Sequence, residues 1–464
     1  MGSELLLLLP EIVIVGIVAA LALLEMFLPE VGRRFAVRLN LVGMLFVALL
    51  LAGLRERSGT AFGGMFALDP LAIFFKLIFL GTAAVTILLQ RESRAIAGKP
   101  EFPLILWSAL LGMFFLVSSK NFLLFFISLE LMTLSLYILA AFAKSDLLSI
   151  EAGLKYLVLG SLASALLVYG VSLIYAATGT LDFLELGEFV AREVEVRHAV
   201  PLLFQAGSLL VLSALAFKVA SVPFQVWVPD VYEGAPTPVV AFFSVASKSA
   251  GFAALTRVLF EVLGPLEAER RLLFSLFAAL TILYGSLGAL AQKNMKRLLG
   301  YSSIGHAGFL LMALASGGAS GRHALLYYLA AYAVTNLAAF LVVSVAENHG
   351  GSEIASLRGL SQRSPLLAAG IFVALLSLAG VPPLAGFTAK FFVLLAAARS
   401  GFAWLVFLGA VSIAISLYYY LSVVRVVYFE KAETRAAIAL SFPTRVLLYG
   451  LMAAILAIGL WPVK

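Results

Sequence analysis

The sequence predicts an all-α protein that crosses a membrane about fourteen times, with short connections between its helices. Hydrophobic residues make up 62% of its 464 residues and charged residues 12%, whereas about 25% of a soluble domain is charged. Apolar runs of bilayer-spanning length, which takes about 20 residues, follow one another along the chain. Prolines and lysines interrupt some of these runs at internal positions. A soluble core of this size does not hide so many apolar side chains, so we expect a polytopic membrane protein.

The apolar runs divide the chain into three N-terminal helices, two groups of five helices and a last helix. The expected spans lie near residues 5–28, 35–54, 70–90, 102–118, 121–143, 152–177, 201–222, 235–262, 271–290, 294–315, 322–346, 365–398, 402–428 and 443–462. The corresponding predicted domains are 1–101, 102–262, 271–428 and 443–464. The acidic connection 178–200 is the one sizeable link between spans, and we expect it to hold a short surface helix.

Composition excludes several classes of function. The sequence contains no cysteine, which excludes disulfides, c-type haem attachment and iron–sulfur ligation within this chain. It shows no dinucleotide-binding or phosphate-binding glycine loop and no cluster of metal ligands, so we expect no cofactor or metal here. The net charge of +7 suits loops that face an anionic membrane leaflet and does not indicate a nucleic-acid partner. The loops on one side carry more lysine and arginine; we assign that side to the cytoplasm and both termini to the outside.

Two proline-broken helices carry the functional prediction. The first break follows Lys218, where Pro223 interrupts an apolar run, and the next run carries Lys248 near its middle. The second break, at Pro382, is followed by Lys390. Unpaired backbone in hydrocarbon is costly, so a break survives only where protein or water covers it. The breaks lie five helices apart, and a five-helix unit inserts with alternating orientation. We therefore expect two inverted five-helix repeats with an ion or proton site near the bilayer midplane.

Ionisable residues inside the spans are the candidate site residues. The basic residues placed inside predicted spans are Lys76, Lys155, Lys218, Lys248, Arg257 and Lys390, and Glu130 is the acid placed well inside one. Such residues are expensive in a bilayer and mark ion or proton pathways. Plainer interpretations stay open: Glu130 as a structural polar contact, Lys218 as a lysine that reaches the membrane interface, and His306 as a satisfied core histidine. Lys76 and Arg257 are expected to be structural or interfacial.

Three segments resemble a known family. WVPDVYEGAPTPVVAFFSVASK at 227–248, NMKRLLGYSSIGHAGFLL at 294–311 and LAGVPPLAGFTAKFF at 378–392 are similar to signatures of the antiporter-like membrane subunits of respiratory complex I. The wording PDVYEGAPTPV resembles the N-type branch of this family in bacterial NADH–quinone oxidoreductases. The M-type and L-type branches and the Mrp-type antiporter subunits have a different continuation after the tryptophan-proline stretch.

The resemblance implies a proton-translocating subunit of a respiratory enzyme in the bacterial inner membrane, without a redox centre of its own. It implies a proton relay through the positions that match the family, with Lys155 on the uptake side: Glu130, Lys218, Lys248, His306, Lys390 and Lys155. FMN, iron–sulfur clusters and quinone would belong to partner subunits, which are an antiporter-like M subunit, a small K-type subunit and a peripheral arm. Two alternatives stay open: an Mrp-type cation/proton antiporter subunit, and a passive structural subunit.

Overall fold

Helices build nearly all of the described chain, as the long apolar runs predict. The computed structural model describes residues 2–432 and 436–461, with the backbone alone described for residues 2–3 and 29–34. The helices of the first half are α1 (Gly2–Leu7), α2 (Leu9–Phe27), α3 (Pro29–Gly53), α4 (Pro70–Glu92), α5 (Glu101–Ser118), α6 (Phe122–Ala140), α7 (Leu147–Thr178), α8 (Phe183–Arg197), α9 (Leu202–Val219) and α10 (Trp227–Gly234). Those of the second half are α11 (Thr237–Phe242), α12 (Lys248–Arg257), α13 (Glu267–Ala289), α14 (Met295–Ser316), α15 (Gly318–Gly350), α16 (Leu360–Arg363), α17 (Pro365–Ala379), α18 (Ala385–Arg399), α19 (Ala403–Phe429) and α20 (Phe442–Leu460).

The spanning helices agree closely with the apolar runs. Thirteen helices within the described residues are long and apolar enough to cross a membrane, counting Thr237–Val262 as one. That span contains α11, α12 and two π-helical turns, Phe243–Ser247 and Val258–Val262. The remaining predicted span, 365–398, is divided into α17 and α18 with 15 residues each, shorter than the about 20 residues that cross a bilayer. The prediction of an all-α multi-pass protein is confirmed.

The predicted repeats and domain boundaries are not tested by the structure. The inverted relation of two five-helix repeats and the domains 1–101, 102–262, 271–428 and 443–464 stay predictions, and residues 462–464 lie outside the described chain. The structure instead separates into two compact units. The first contains the chain up to Ile87 with Gly98–Val219 and Ala246–Arg270, and the second contains Leu88–Ala97, Ala220–Val245 and the chain from Arg271 onward.

Several connections between spans contain regular structure, among them α10 and α16. Helix α8 occupies the acidic link, as expected, and the Asp182 carboxylate caps it by accepting hydrogen bonds from the Leu184 and Glu185 amides at 2.9 and 3.3 Å. The sequence analysis did not identify a short antiparallel hairpin between α3 and α4, formed by β1 (Gly59–Ala61) and β2 (Phe66–Leu68). Three-residue strands are too short to give a recognisable alternating pattern.

Small residues allow the helices of each unit to pack closely. In the first unit, α7 approaches α9 where Gly170 faces Gly207. A Cβ atom at either position would lie within 3.0 Å of the backbone of the other helix. Small residues permit such close approach in membranes, where helix packing replaces the hydrophobic effect. In the second unit, α15 is a central element: its most apolar window is 89% buried.

Candidate functional site

The first break holds Lys218 in the last turn of α9. Its side chain is 3% exposed, and its ammonium has no hydrogen-bond partner among the described residues. Two aromatic rings lie close to the Nζ atom, that of Phe217 at 5.2 Å and that of Tyr137 at 5.8 Å. Two aromatic rings therefore lie near the buried charge, and the faces of such rings favour a cation.

Glu130, on α6, does not contact Lys218 directly. Its Oε1 atom accepts a hydrogen bond from the Ser164 hydroxyl of α7 at 2.5 Å. The Glu130 and Lys218 charges interact electrostatically, but no close ion pair joins them within the described chain. The sequence analysis placed both residues correctly inside spans and did not identify Ser164. The structure thus shows the carboxylate engaged by a serine and the ammonium apart from it.

Lys248 is buried at the junction of a π-helical turn and α12. It follows the turn Phe243–Ser247 directly and is 3% exposed. The apolar part of its span is fully enclosed by the protein, so the lysine does not lie on the protein surface. One turn further along, Gly251 lies against Lys218 and Val219 of α9, because a Cβ atom there would meet the Lys218 Cβ at 3.3 Å. Helices α9 and α12 therefore pack closely in the segment that carries the two lysines, and π-turns often mark functional sites.

His306 lies on α14 in the second unit and is enclosed by tyrosines. Its Nδ1 atom is 2.6 Å from the Tyr328 hydroxyl, and its Nε2 atom is 3.5 Å from the Tyr420 hydroxyl. The ring of Tyr332 lies 5.1 Å away, centroid to centroid. Each ring nitrogen thus faces a hydroxyl group that is both donor and acceptor. His306 is a satisfied core histidine, and the same contacts suit proton exchange.

Lys390 lies at the second break and is held by the end of the preceding half-helix. Its ammonium donates hydrogen bonds to the carbonyl oxygens of Leu378 at 2.7 Å and Ala379 at 3.1 Å. These carbonyls belong to the last turn of α17, where helix geometry leaves acceptors without an intrahelical partner. Gly380 ends α17 in the left-handed conformation with φ of 90°. The Phe309 ring lies 5.4 Å from Nζ.

A small cavity lies between His306 and the residues around Lys390. Its volume is about 10 Å³, and its lining includes His306, Leu378 and Ala389, of which the last two adjoin the Lys390 contacts in space or sequence. This volume is near the lower limit for one water molecule. His306 is thus the predicted site residue that lines this cavity, and Lys390 lies behind two of its other lining residues.

The structure does not place Lys155 with the buried lysines. Its side chain is 42% exposed and forms an ion pair at 2.7 Å with Glu151, four residues earlier on α7. The predicted span began at 152, whereas α7 begins at Leu147, near the polar link to α6. Lys155 is a surface residue in an ordinary helical ion pair.

Comparison with known proteins identifies the family. The model of the transmembrane region shared by NADH:quinone oxidoreductases and Mrp antiporters matches residues 119–416. The chain belongs to this family. A protein of Moorella thermoacetica named NADH-quinone oxidoreductase subunit N is 42% identical over 90% of this chain and 87% of that protein. The subunit N of Chloroflexus aggregans is 40% identical over 99% of this chain and 95% of that protein.

A solved structure supports the same assignment. A chain of respiratory complex I from Thermus thermophilus with bound aureothin superposes with a TM-score of 0.83 at 36% identity, covering 98% of this chain and 97% of that one. The resemblance to antiporter-like subunits of complex I is confirmed. Because the relatives are named subunit N, they favour the N-type branch over the Mrp alternative. Within residues 2–432 and 436–461, no group of three or more His, Cys, Asp or Glu is arranged to hold a metal.

The second unit also contains an ion pair between the buried Lys296 and the partly exposed Glu347. Lys296 is 5% exposed, and its Nζ lies 3.0 Å from Glu347 Oε1 and donates to the Ala235 carbonyl at 3.2 Å. Thr237 also donates to Glu347. The sequence analysis did not single out either residue as a candidate. Glu347 comes directly after the predicted span 322–346, and that position was the available signal.

Two charged contacts in the first unit explain Lys76 and Arg257. Lys76 Nζ lies 2.5 Å from Glu11 Oε1, and both side chains are almost fully buried. Arg257 binds Asp69 through two hydrogen bonds of 2.6 and 2.8 Å and binds Glu261 at 2.9 Å. Burial raises the pKa of Asp69, which precedes α4, but the hydrogen bonds and charge of Arg257 outweigh burial and hold that pKa below its usual value. Lys76 and Arg257 have structural contacts, as expected, although Glu11 was overlooked as a buried acid.

Proposed function

We propose that this chain is the proton-translocating subunit N of an NADH–quinone oxidoreductase, and that redox chemistry in other subunits drives it. The observation that carries the proposal is the burial of Lys218, Lys248 and Lys390, each 3% exposed, in helices of a membrane-spanning chain. Charged groups inside a bilayer are expensive and occur where ions or protons move. The subunit N relatives supply the respiratory context.

The proposed switch is the distance between Glu130 and Lys218. The structure represents the open arrangement, with Glu130 bound by Ser164 and the Lys218 ammonium without a hydrogen bond in the described chain. Bringing two unit charges to ~4 Å at an effective dielectric of 20 contributes about 4 kcal/mol. Moving one charge against 100 mV requires ~2.3 kcal/mol. The change in interaction energy when this pair opens is therefore large enough to drive a proton off Lys218. The ammonium loses stabilisation when its carboxylate moves away.

The proposed relay continues through Lys248 and His306 to Lys390. His306 takes up or passes on a proton through either ring nitrogen, since Tyr328 and Tyr420 face them. The cavity beside His306 accepts about one water, which provides a short path toward the Lys390 region. Lys390 holds the proton as an ammonium on the terminal carbonyls of α17. Lys155 is a surface residue beside the uptake side in this scheme.

The partners and cofactors follow from the same assignment. We place iron–sulfur clusters in other subunits, because the chain has no cysteine to ligate one, and the subunit N assignment places FMN and quinone there as well. The proposed neighbours are an antiporter-like M subunit, a small K-type subunit and the peripheral arm, all in a bacterial inner membrane. Isolation of the tagged chain in mild detergent should recover flavin and iron–sulfur subunits with it. Recovery with other Mrp-type subunits alone would favour the antiporter alternative.

Lys248→Ala tests whether the chain moves protons. The variant complex should assemble and lose most of its proton translocation and coupled NADH oxidation in vesicles, because the central relay group is missing. Lys293→Ala is the matched control, since Lys293 is exposed and lies outside the site. Lys76→Ala is not a neutral control, because it leaves the buried Glu11 without its partner. Parental pumping by Lys248→Ala would support a passive subunit.

The orientation of the chain is tested by labelling with membrane-impermeant thiol reagents. The charge bias of the loops places both termini outside, Lys293 in the cytoplasm and Arg192 outside. Both side chains are exposed, whereas Lys296 is too buried to report on sidedness. In intact cells, Arg192→Cys should react and Lys293→Cys should be protected, without background from native cysteines. The reverse labelling pattern would invert the proposed topology.

A further inference from the structure

The ion pair between Lys296 and Glu347 joins the start of α14 to the end of α15 in the second unit. Lys296 lies in the first turn of α14, and Glu347 lies in the last turn of α15. The two side chains differ in exposure, with 6% for Lys296 and 31% for Glu347. The pair therefore connects a carboxylate that water reaches to an ammonium that is enclosed by protein.

The link between α10 and α11 holds both partners of the pair in place. The Lys296 ammonium donates a hydrogen bond to the Ala235 carbonyl at 3.2 Å, and Thr237 donates one to Glu347 Oε2. The other carboxylate oxygen, Oε1, faces Lys296 Nζ at 3.0 Å. Because proton transfer needs about 2.6–3.2 Å between heavy atoms, the carboxylate and the ammonium are positioned to exchange a proton.

Polar side chains continue from Lys296 along the same face of α14. Ser303 lies seven residues further on, which is two helical turns, and its Oγ atom lies 3.3 Å from the Tyr232 hydroxyl of α10. Tyr232 packs beside Gly300, where a Cβ atom would lie 3.4 Å from the tyrosine ring. His306 follows Ser303 by one further turn of α14. This face therefore leads from the ion pair toward the histidine of the proposed relay.

We propose that Glu347 and Lys296 form a proton entry site of the second unit, on the side that the charge bias of the loops assigns to the cytoplasm. The Glu347 carboxylate takes a proton from water and becomes a neutral acid. Lys296 passes a proton inward and becomes an amine, and Glu347 then returns a proton to this amine across their contact. One proton has moved inward, and both residues have regained their charges. The proposal rests on the proposed proton relay, which supplies the acceptor deeper in the unit.

The competing role for this pair is a fixed tie between α14 and α15. Two conservative changes keep such a tie and remove proton transfer. Glu347→Gln retains an oxygen acceptor for Thr237 and Lys296, but an amide does not take up a proton as a carboxylate does. Lys296→Arg retains the positive charge and its donors, but arginine does not release a proton in proteins. A purely structural pair should tolerate both changes.

Proton translocation by the intact complex in inverted vesicles tests the entry site. Glu347→Gln and Lys296→Arg should each translocate protons about tenfold more slowly, while assembly and the unfolding temperature stay close to those of the parent. Glu347→Asp restores the carboxylate and should keep most of the activity. Glu353→Gln is the matched control, because Glu353 is exposed and lies outside the pair. Parental pumping by either Glu347→Gln or Lys296→Arg would overturn the proposal.

Water access to the site is measured separately from pumping. Glu347→Cys places a single thiol in a chain without native cysteine. A membrane-impermeant thiol reagent should label it in inverted vesicles and leave it unlabelled in intact cells, as read from the mass of the tagged chain. No labelling in inverted vesicles, or labelling in intact cells, would overturn the entry site.

Lys248→Ala distinguishes failure of the entry site from failure of the proposed function. If Lys248→Ala loses pumping while Glu347→Gln keeps it, the entry site alone is wrong. If Lys248→Ala pumps like the parent, the relay is wrong, and the entry site has no acceptor.

Discussion

Lys218 and Lys390 lie beside the two proline breaks, yet their ammonium groups are held differently. Lys390 donates to two carbonyls at the end of the preceding half-helix, while Lys218 has no hydrogen-bond partner in the described chain. The direction of helical side chains explains the difference, because they tilt toward the N-terminus of their own helix. Lys390 lies in the second turn of the second half-helix, and its ammonium reaches back to the break. Lys218 ends the first half-helix and points away from its terminal carbonyls.

The backbone conformation also differs between the two breaks. Gly380 takes the left-handed conformation at the second break, where no side chain opposes it. At the first break, the residue after α9 is Ala220, with φ of 62°, which costs about 1–2 kcal/mol for a residue with a Cβ atom. Such strain persists only where its surroundings enforce it and is typical of switching sites. In the proposed mechanism, the first break therefore acts as the switch and the second holds the proton.

The largest expected effect is a loss of proton pumping when either residue of the proposed Glu130–Lys218 switch is replaced. Glu130→Gln removes the carboxylate that Lys218 responds to, and Lys218→Met removes the proton carrier. Each single variant should assemble and pump protons about tenfold more slowly or worse, because it lacks either the group that carries the proton or the charge that sets the proton affinity of that group. The double variant should be hardly worse than either single one, since residues that share one function are not additive.

A double-mutant cycle on proton translocation measures this coupling. Proton uptake by vesicles is recorded for the parent, both single variants and the double variant, with complex assembly checked for each. Additive losses in the logarithm of the rate would show that Glu130 and Lys218 act separately, and the switch would then lie elsewhere.

A smaller effect, on stability, should separate the two lysines. Lys390→Ala removes hydrogen bonds from a charged donor to two terminal carbonyls, which should destabilise the complex by about 2 kcal/mol or more. Lys218→Ala removes a buried charge that makes no hydrogen bond, so it should leave stability unchanged or raise it. The readout is the temperature at which the solubilised complex unfolds, with Lys293→Ala as the reference. Equal destabilisation by both variants would remove the distinction between the breaks.

The fold and the buried lysines could be predicted from the sequence because the bilayer restricts which residues a spanning helix contains. A spanning helix needs a long apolar run, and a lysine inside such a run is conspicuous. Partners were harder to identify. Ser164, which binds Glu130, and Tyr328, which binds His306, are common residues in positions that only packing specifies. Lys155 lies inside a span as predicted, but the sequence did not show that its side chain is partly exposed and pairs with Glu151.

The central claim is that a proton passes through Lys390, and Lys390→Arg tests it most directly. Arginine keeps the positive charge and the hydrogen-bond donors for the carbonyls of Leu378 and Ala379, but it does not release its proton in proteins. The complex should therefore assemble and keep most of its thermal stability. We predict that its ratio of protons translocated to NADH oxidised, measured in sealed vesicles, falls below that of the parent. A parental ratio would contradict the account and make Lys390 a structural counter-charge for the end of α17.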